Sequence, residues 1–104
     1  MRYKIHTNIP QTHTEQVRLA MGDAGAWIIG NYHYCAFVIP WVWYFKPIDG
    51  ASPVIGSPWV MESVVEDRLE YVCDEDHLPQ VIQALKDSHP YEEPPIEIYK
   101  LENY

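Results

Sequence analysis

The chain has 104 residues, 47% of them hydrophobic and 21% charged, which is the size and mix of one compact domain spanning residues 1–104 rather than two. Its formal net charge is −8, with seven Lys and Arg spread along the chain, so phosphate-backbone binding is opposed and no nucleic-acid partner is expected. No run approaches the roughly 20 apolar residues of a membrane helix, and the opening MRYKIHTNIP lacks the apolar stretch of a secretory signal, so the expectation is a cytoplasmic protein with no membrane partner.

In RYKIHTNI, Tyr3, Ile5, Thr7 and Ile9 alternate with Lys4, His6 and Asn8, the period-2 pattern of a half-buried strand, and Pro10 ends it. Thr12 and Glu15 have capping-box spacing, and Val17, Ala20, Met21 and Ala24 follow at helical intervals, predicting a helix from about Thr12 to Gly22 or Ala24. Residues 25–59 are dense in glycine, proline and aromatics. YHYCAFVI and WVWYFKP within them read as two strands broken at Pro40, an irregular hairpin, and IDGASPVIGSP reads as a surface loop. WVMESVVEDRLEYVC, 59–73, reads as a long strand with Met61, Val65, Leu69, Tyr71 and Cys73 on one face. Glu62, Glu66, Arg68 and Glu70 fall on the other. A second helix is expected after a cap at Asp76, with Pro79 in its first turn, a stripe of Leu78, Val81, Ile82 and Leu85, and a stop before Pro90. PIEIYKL gives the last strand.

This order implies an α+β fold of the ferredoxin-like, split βαβ kind: an antiparallel sheet with two helices on one face and an extra hairpin. The other sheet face then needs a cover, and a second copy of the chain is the economical one, so a homo-oligomer is expected.

Several motifs in fixed order carry a family likeness: AGAWIIGNY, Cys35 with Phe37, FKPIDGASPVIG and ALKDSHPYEEP. Together they resemble the stand-alone YqfO-like domain of the Nif-three-like family, and the HPYE element is similar to its counterpart in the trimeric CutA and PII-like proteins. The resemblance implies a CutA/PII-like fold and a homotrimer, but no established activity for the domain by itself. This chain departs from the pattern where Trp41, Val42 and Trp43 stand in place of a glycine-rich G-x-G, and where Trp27 replaces another glycine. Bulky indoles there remove backbone freedom and add apolar area, so Trp41, Trp43 and Phe45 are expected to form an interface.

Chemistry is less legible. His89-Pro90-Tyr91 reads first as a helix terminator, and the adjacent Glu92 and Glu93 point to opposite sides of an extended stretch, so they do not form an acid–base pair on one substrate. A cleft between subunits would use Asn31, Tyr32, His89, Tyr91 and Glu93 for a small-molecule effector or a protein partner. His33, Cys35, Cys73 and His77 could form a small metal site, the basis of an alternative divalent-metal-binding or ion-tolerance reading, although the spacing is that of no closed site. Ser52, Ser57, Ser63 and Ser88 lack a triad or nucleophile elbow, and the glycines of 22–30 spell no phosphate loop, so no cofactor is expected. The expected role is therefore a small oligomeric regulatory or effector-binding module, more a binder than an enzyme. An enzyme with an intersubunit site is the weaker alternative.

Overall fold

The computed structural model describes residues 1–52 and 56–103. Six elements follow one another: β1 (Arg2–Pro10), α1 (Thr14–Asp23), β2 (Phe37–Phe45), β3 (Glu62–Asp74), α2 (Leu78–Ser88) and β4 (Ile96–Leu101). The strands form one antiparallel sheet in the order β2-β3-β1-β4. This is the split βαβ arrangement that the element order implies.

The alternation in β1 is realised as read. Ile5, Ile9 and Thr7 are buried, and Ile5 stands opposite Tyr71 and Thr7 opposite Leu69 in β3. Both helices close over that face, so Ile5, Ile9, Val17, Met21, Leu69, Tyr71, Cys73, Val81 and Leu85 form one continuous core. The Tyr71 hydroxyl is kept from being orphaned by donating to the Arg18 carbonyl of α1 at 2.5 Å.

The helix starts differ from the expected ones. A turn closed by the His13 N–H on the Pro10 carbonyl at 2.8 Å uses up the first residues after β1, so α1 begins at Thr14 and has no side-chain cap. Thr12 bonds the His13 ring at 2.9 Å, and Glu15 is paired with Arg18 at 2.6 Å. What anchors the helix start is tertiary: the Thr14 hydroxyl donates to Asp67 of β3 at 2.6 Å. Likewise α2 is not capped by Asp76; Asp74 instead accepts from the His77 N–H at 2.9 Å. The stop is as read, with His89 extended at φ −76°, ψ 136° before Pro90.

The break expected at Pro40 is absent. Phe37–Phe45 is a single strand, with Pro40 opposite Asp67, and its pairing with β3 is the hairpin of the four-stranded sheet itself, not an extra one. Proline is tolerated because β2 is an edge strand, so its missing N–H need not face a partner. The β2–β3 ladder continues to Glu62, whereas β1 pairs with β3 only as far as Glu66. The result is an arm that stretches the molecule to 46 × 24 × 21 Å. No side chain of β2 joins the buried core. The loop expected over 48–58 shows no helix or strand at its described residues, and its Pro53, Val54 and Ile55 lie outside them. No helix among the described residues is long and apolar enough to cross a membrane.

Leu85 is fully buried where α2 meets the sheet. Leu85→Ala is expected to cost about 2–5 kcal/mol, read as a lowered urea midpoint with an unchanged slope.

Candidate functional site

The end of α2 sets the site. His89, 7% exposed, donates from Nε2 to the Asn8 carbonyl at 2.7 Å, while its Nδ1 accepts the Tyr91 N–H at 3.1 Å. Those two bonds require the neutral tautomer with its proton on Nε2, and burial holds the imidazole below its ordinary range. His89 is thus a clamp that ties the chain after α2 to the end of β1.

The clamp delivers Tyr91 to the arm. Its ring lies 5.2 Å from Trp43, which in turn stacks on Phe45 at 4.7 Å, and its hydroxyl donates to Glu66. Glu66 is completely buried, and its Oε1 has no partner among the described residues. Burial raises the Glu66 carboxyl, and the Tyr91 hydrogen bond only partly opposes the rise. Burial also pushes the Tyr91 phenol up, helped by the neighbouring Glu66.

Beside these rings lies a cavity of about 420 Å³, open to solvent and lined by Trp43, Phe45, Lys46, Tyr91, Glu92 and Glu93 with the loop 47–51. Glu92 accepts the Ser52 N–H at 2.9 Å and ties that loop to the segment after α2. Trp59 donates to Asp49 at 2.5 Å, and Lys46 Nζ lies 5.8 Å from the Trp59 ring.

Several expected site residues lie elsewhere. Asn31 and Tyr32 belong to an exposed turn closed by mutual 2.8 Å bonds between Ile29 and Tyr32. That turn follows Trp27, which shares a small cavity with Cys73 and Asp74 at the far end of β3. Glu66 and Cys73 are separated by about 23 Å of strand, so one chain does not bring Asn31 and Tyr32 together with His89, Tyr91 and Glu93. Trp27 itself has φ 41°, a left-handed conformation that favours glycine, at the position where the family likeness has one.

His33 and Cys35 are not on a strand, and Tyr34 between them has φ 60°, so the alternation that put them on one face does not exist. Cys73 is 2% exposed, its thiol pushed up to about 11 by burial and then by Asp74, and it donates to the Asp74 carbonyl at 3.1 Å. The His77 ring is taken by Asp74 at 2.6 Å. No group of three or more His, Cys, Asp and Glu among the described residues could hold a metal ion.

Trp41 turns out to belong to the open sheet face. Its indole N–H donates to Asn8 at 3.1 Å, and the Arg68 guanidinium lies 4.4 Å from its ring. Arg68 also contacts His6, Glu70 and Glu97, and Lys4 reaches Glu70 at 3.5 Å. Sequence reasoning missed Glu66 because alternation put it with Glu62 and Arg68 on the charged face. Tyr91, from the chain after α2, closes over it beside its strand neighbours Pro10 and Trp41, and no local signal announces that.

No protein-family model matches the chain. A curated protein of Halalkalibacterium halodurans, "GTP cyclohydrolase 1 type 2 homolog", is 45% identical over 101 residues, which is 97% of this chain and 27% of the relative. A crystal structure of a Bacillus cereus protein related to NIF3 superposes with a TM-score of 0.85 at 37% identity, over 98% of this chain and 26% of that one. The chain is homologous to one segment of the NIF3-related proteins. It spans about a quarter of the length of the curated relatives it matches. CutA from Archaeoglobus fulgidus, a "periplasmic divalent cation tolerance protein", shares the fold of this NIF3-related segment at a TM-score of 0.72 and 17% identity, over 100% of this chain and 87% of its own.

The pair Glu66–Tyr91 makes stability depend on pH. A carboxyl raised by folding contributes stability that is fully present below its unfolded value and is lost as pH rises through its folded value. Glu66→Gln, a fixed mimic of the protonated acid, should therefore gain on the parent as pH rises from about 4 to about 8, measured by urea midpoints. Tyr91→Phe should cost about 1–3 kcal/mol at neutral pH and less in acid. Separately, dialysed protein should hold no stoichiometric zinc or copper by elemental analysis. One full equivalent lost in Cys73→Ser would place a metal site at that cysteine.

Proposed function

We propose that the chain is a self-associating binding module that takes a small effector in the cavity beside Tyr91, and that it acts in the cytoplasm as a homotrimer. The cavity carries this reading. It offers an apolar aromatic wall with a few polar groups, the composition of small-molecule sites. Tyr91, the lining phenol whose proton affinity burial raises, spends its hydroxyl on Glu66 behind the wall, which suits a binding surface better than general acid–base turnover. The chemistry suggested by the relatives' name is not carried over, because this chain aligns with 27% of such a protein.

Self-association is supported by β2. Phe37, Val38, Ile39, Val42 and Tyr44 are all exposed on an edge strand, and such a surface on a lone chain invites pairing. Trp43 and Phe45, expected at an interface, are packed within the chain beside Tyr91, so the unpartnered part of the segment is Val42 and Tyr44. In a closed ring of copies the Asn31–Tyr32 turn of one subunit can approach the Tyr91 cavity of the next, the shared cleft that stands in the sequence reading as the functional alternative to a helix terminator.

Light scattering should give about 37 kDa, three times the 12.2 kDa chain. Val42→Lys combined with Tyr44→Lys should weaken assembly by about 2 kcal/mol or more while leaving the far-UV circular dichroism unchanged. A monodisperse 12.2 kDa parent at micromolar concentration ends the trimer reading.

A further inference from the structure

We propose that the Tyr91 cavity is a site for an organic ammonium ion, a small amine or quaternary ammonium compound with an apolar body. The inference rests on the effector-binding reading and names the chemical class of the effector. Phe45, Trp43 and Tyr91 stand in a row, with ring centroids 4.7 and 5.2 Å apart, and form the apolar wall. An aromatic face carries the negative part of the ring quadrupole, so a face left free at the end of this row attracts a poorly hydrated cation. The polar groups of the lining point the same way. Asp49, Glu92 and Glu93 bring three carboxylates, against Lys46 as the single cation among the described lining residues. Lys46 is itself placed toward Trp59, 5.8 Å from that ring.

An anion is disfavoured here for two further reasons. The Tyr91 hydroxyl is committed to Glu66 and is not free to donate into the cavity, and no residue of either helix lines the site, so no helix N-terminus faces it. A neutral apolar molecule would gain from the rings alone. Only a cation gains from the rings and the carboxylates together. The volume of about 420 Å³ suits a small free molecule.

The test uses the full chain, labelled with ¹⁵N, and follows the Trp43 indole N–H signal, assigned through Trp43→Phe. Choline is compared with its neutral isostere, in which carbon replaces the ammonium nitrogen, and with adenosine monophosphate as an anionic probe. Choline is expected to shift the Trp43 signal and to bind about fivefold or more tighter than the isostere, the margin of a partly desolvated cation on aromatic rings. Glu93→Gln, at an exposed residue outside the core, should weaken choline severalfold and leave the isostere unchanged. A trimethyl-lysine peptide separates the sources of the ammonium group: tighter binding than choline places it on a peptide, weaker binding on a free small molecule, and either keeps the class. Equal binding of choline and isostere, or no response of choline to Glu93→Gln, overturns the inference. If adenosine monophosphate alone moves the Trp43 signal, the effector reading stands and the cation class falls. If no probe moves it at millimolar concentration, the cation site is refuted, and a parent cavity closed to soluble quenchers of Trp43 would remove the effector reading as well.

Discussion

The pairing of β1 with β3 is the constraint on which this molecule depends. With Ile5 opposite Tyr71 and Thr7 opposite Leu69, the apolar members of both strands fall on one face, and a slip of one residue would turn them all to the other. That face receives Val17 and Met21 from α1 and Val81 and Leu85 from α2, and the core is complete without β2. The helix starts lean on the same ladder, since Asp67 holds Thr14 and Asp74 holds His77. Interactions with β3 therefore replace the local caps that the sequence around each helix suggests.

A core closed by three strands and two helices leaves β2 with a different task. It continues with β3 beyond the end of β1, where neither face has a helix to cover it. Apolar side chains in such a place gain free energy only from something added: a loop of the same chain, another copy, or a ligand. The chain after α2 supplies part of the cover. Fixed by the two hydrogen bonds of His89, it lays Tyr91 against Trp43 and closes Glu66 off from water. One short segment thus ends a helix, buries a carboxyl and builds one wall of a cavity.

The charged face of the sheet shows the opposite economy. Lys4, His6, Arg68, Glu70 and Glu97 stand on neighbouring strands, where long side chains of opposite sign can reach one another, and Trp41 lies under the Arg68 guanidinium. Desolvation and Arg68 together hold the His6 imidazole below its ordinary range, while Arg68 and its neighbours hold Glu70 low despite its partial burial. The indoles at 41 and 43 therefore have separate environments, although they sit two residues apart on the same side of one strand.

By itself the sequence determined the order of the elements apart from splitting β2 in two, the buried face of β1, the stripe of α2 and its stop at Pro90, because these follow from periodicity and from backbone rules that act over a few residues. The fold class followed from that order, and the motifs around AGAWIIGNY and HPYEEP pointed to the NIF3-related segment. Tertiary structure alone decided that Pro40 lies inside a strand, since an edge position is a property of the sheet. It alone decided that Glu66 is buried, since the lid over it comes from Tyr91, 25 residues further on. It also separated Asn31 and Tyr32 from Tyr91 within the chain and gave Trp43 and Phe45 to a cavity, because the side chains that meet there come from an arm, a loop and a helix terminus whose approach no local pattern encodes.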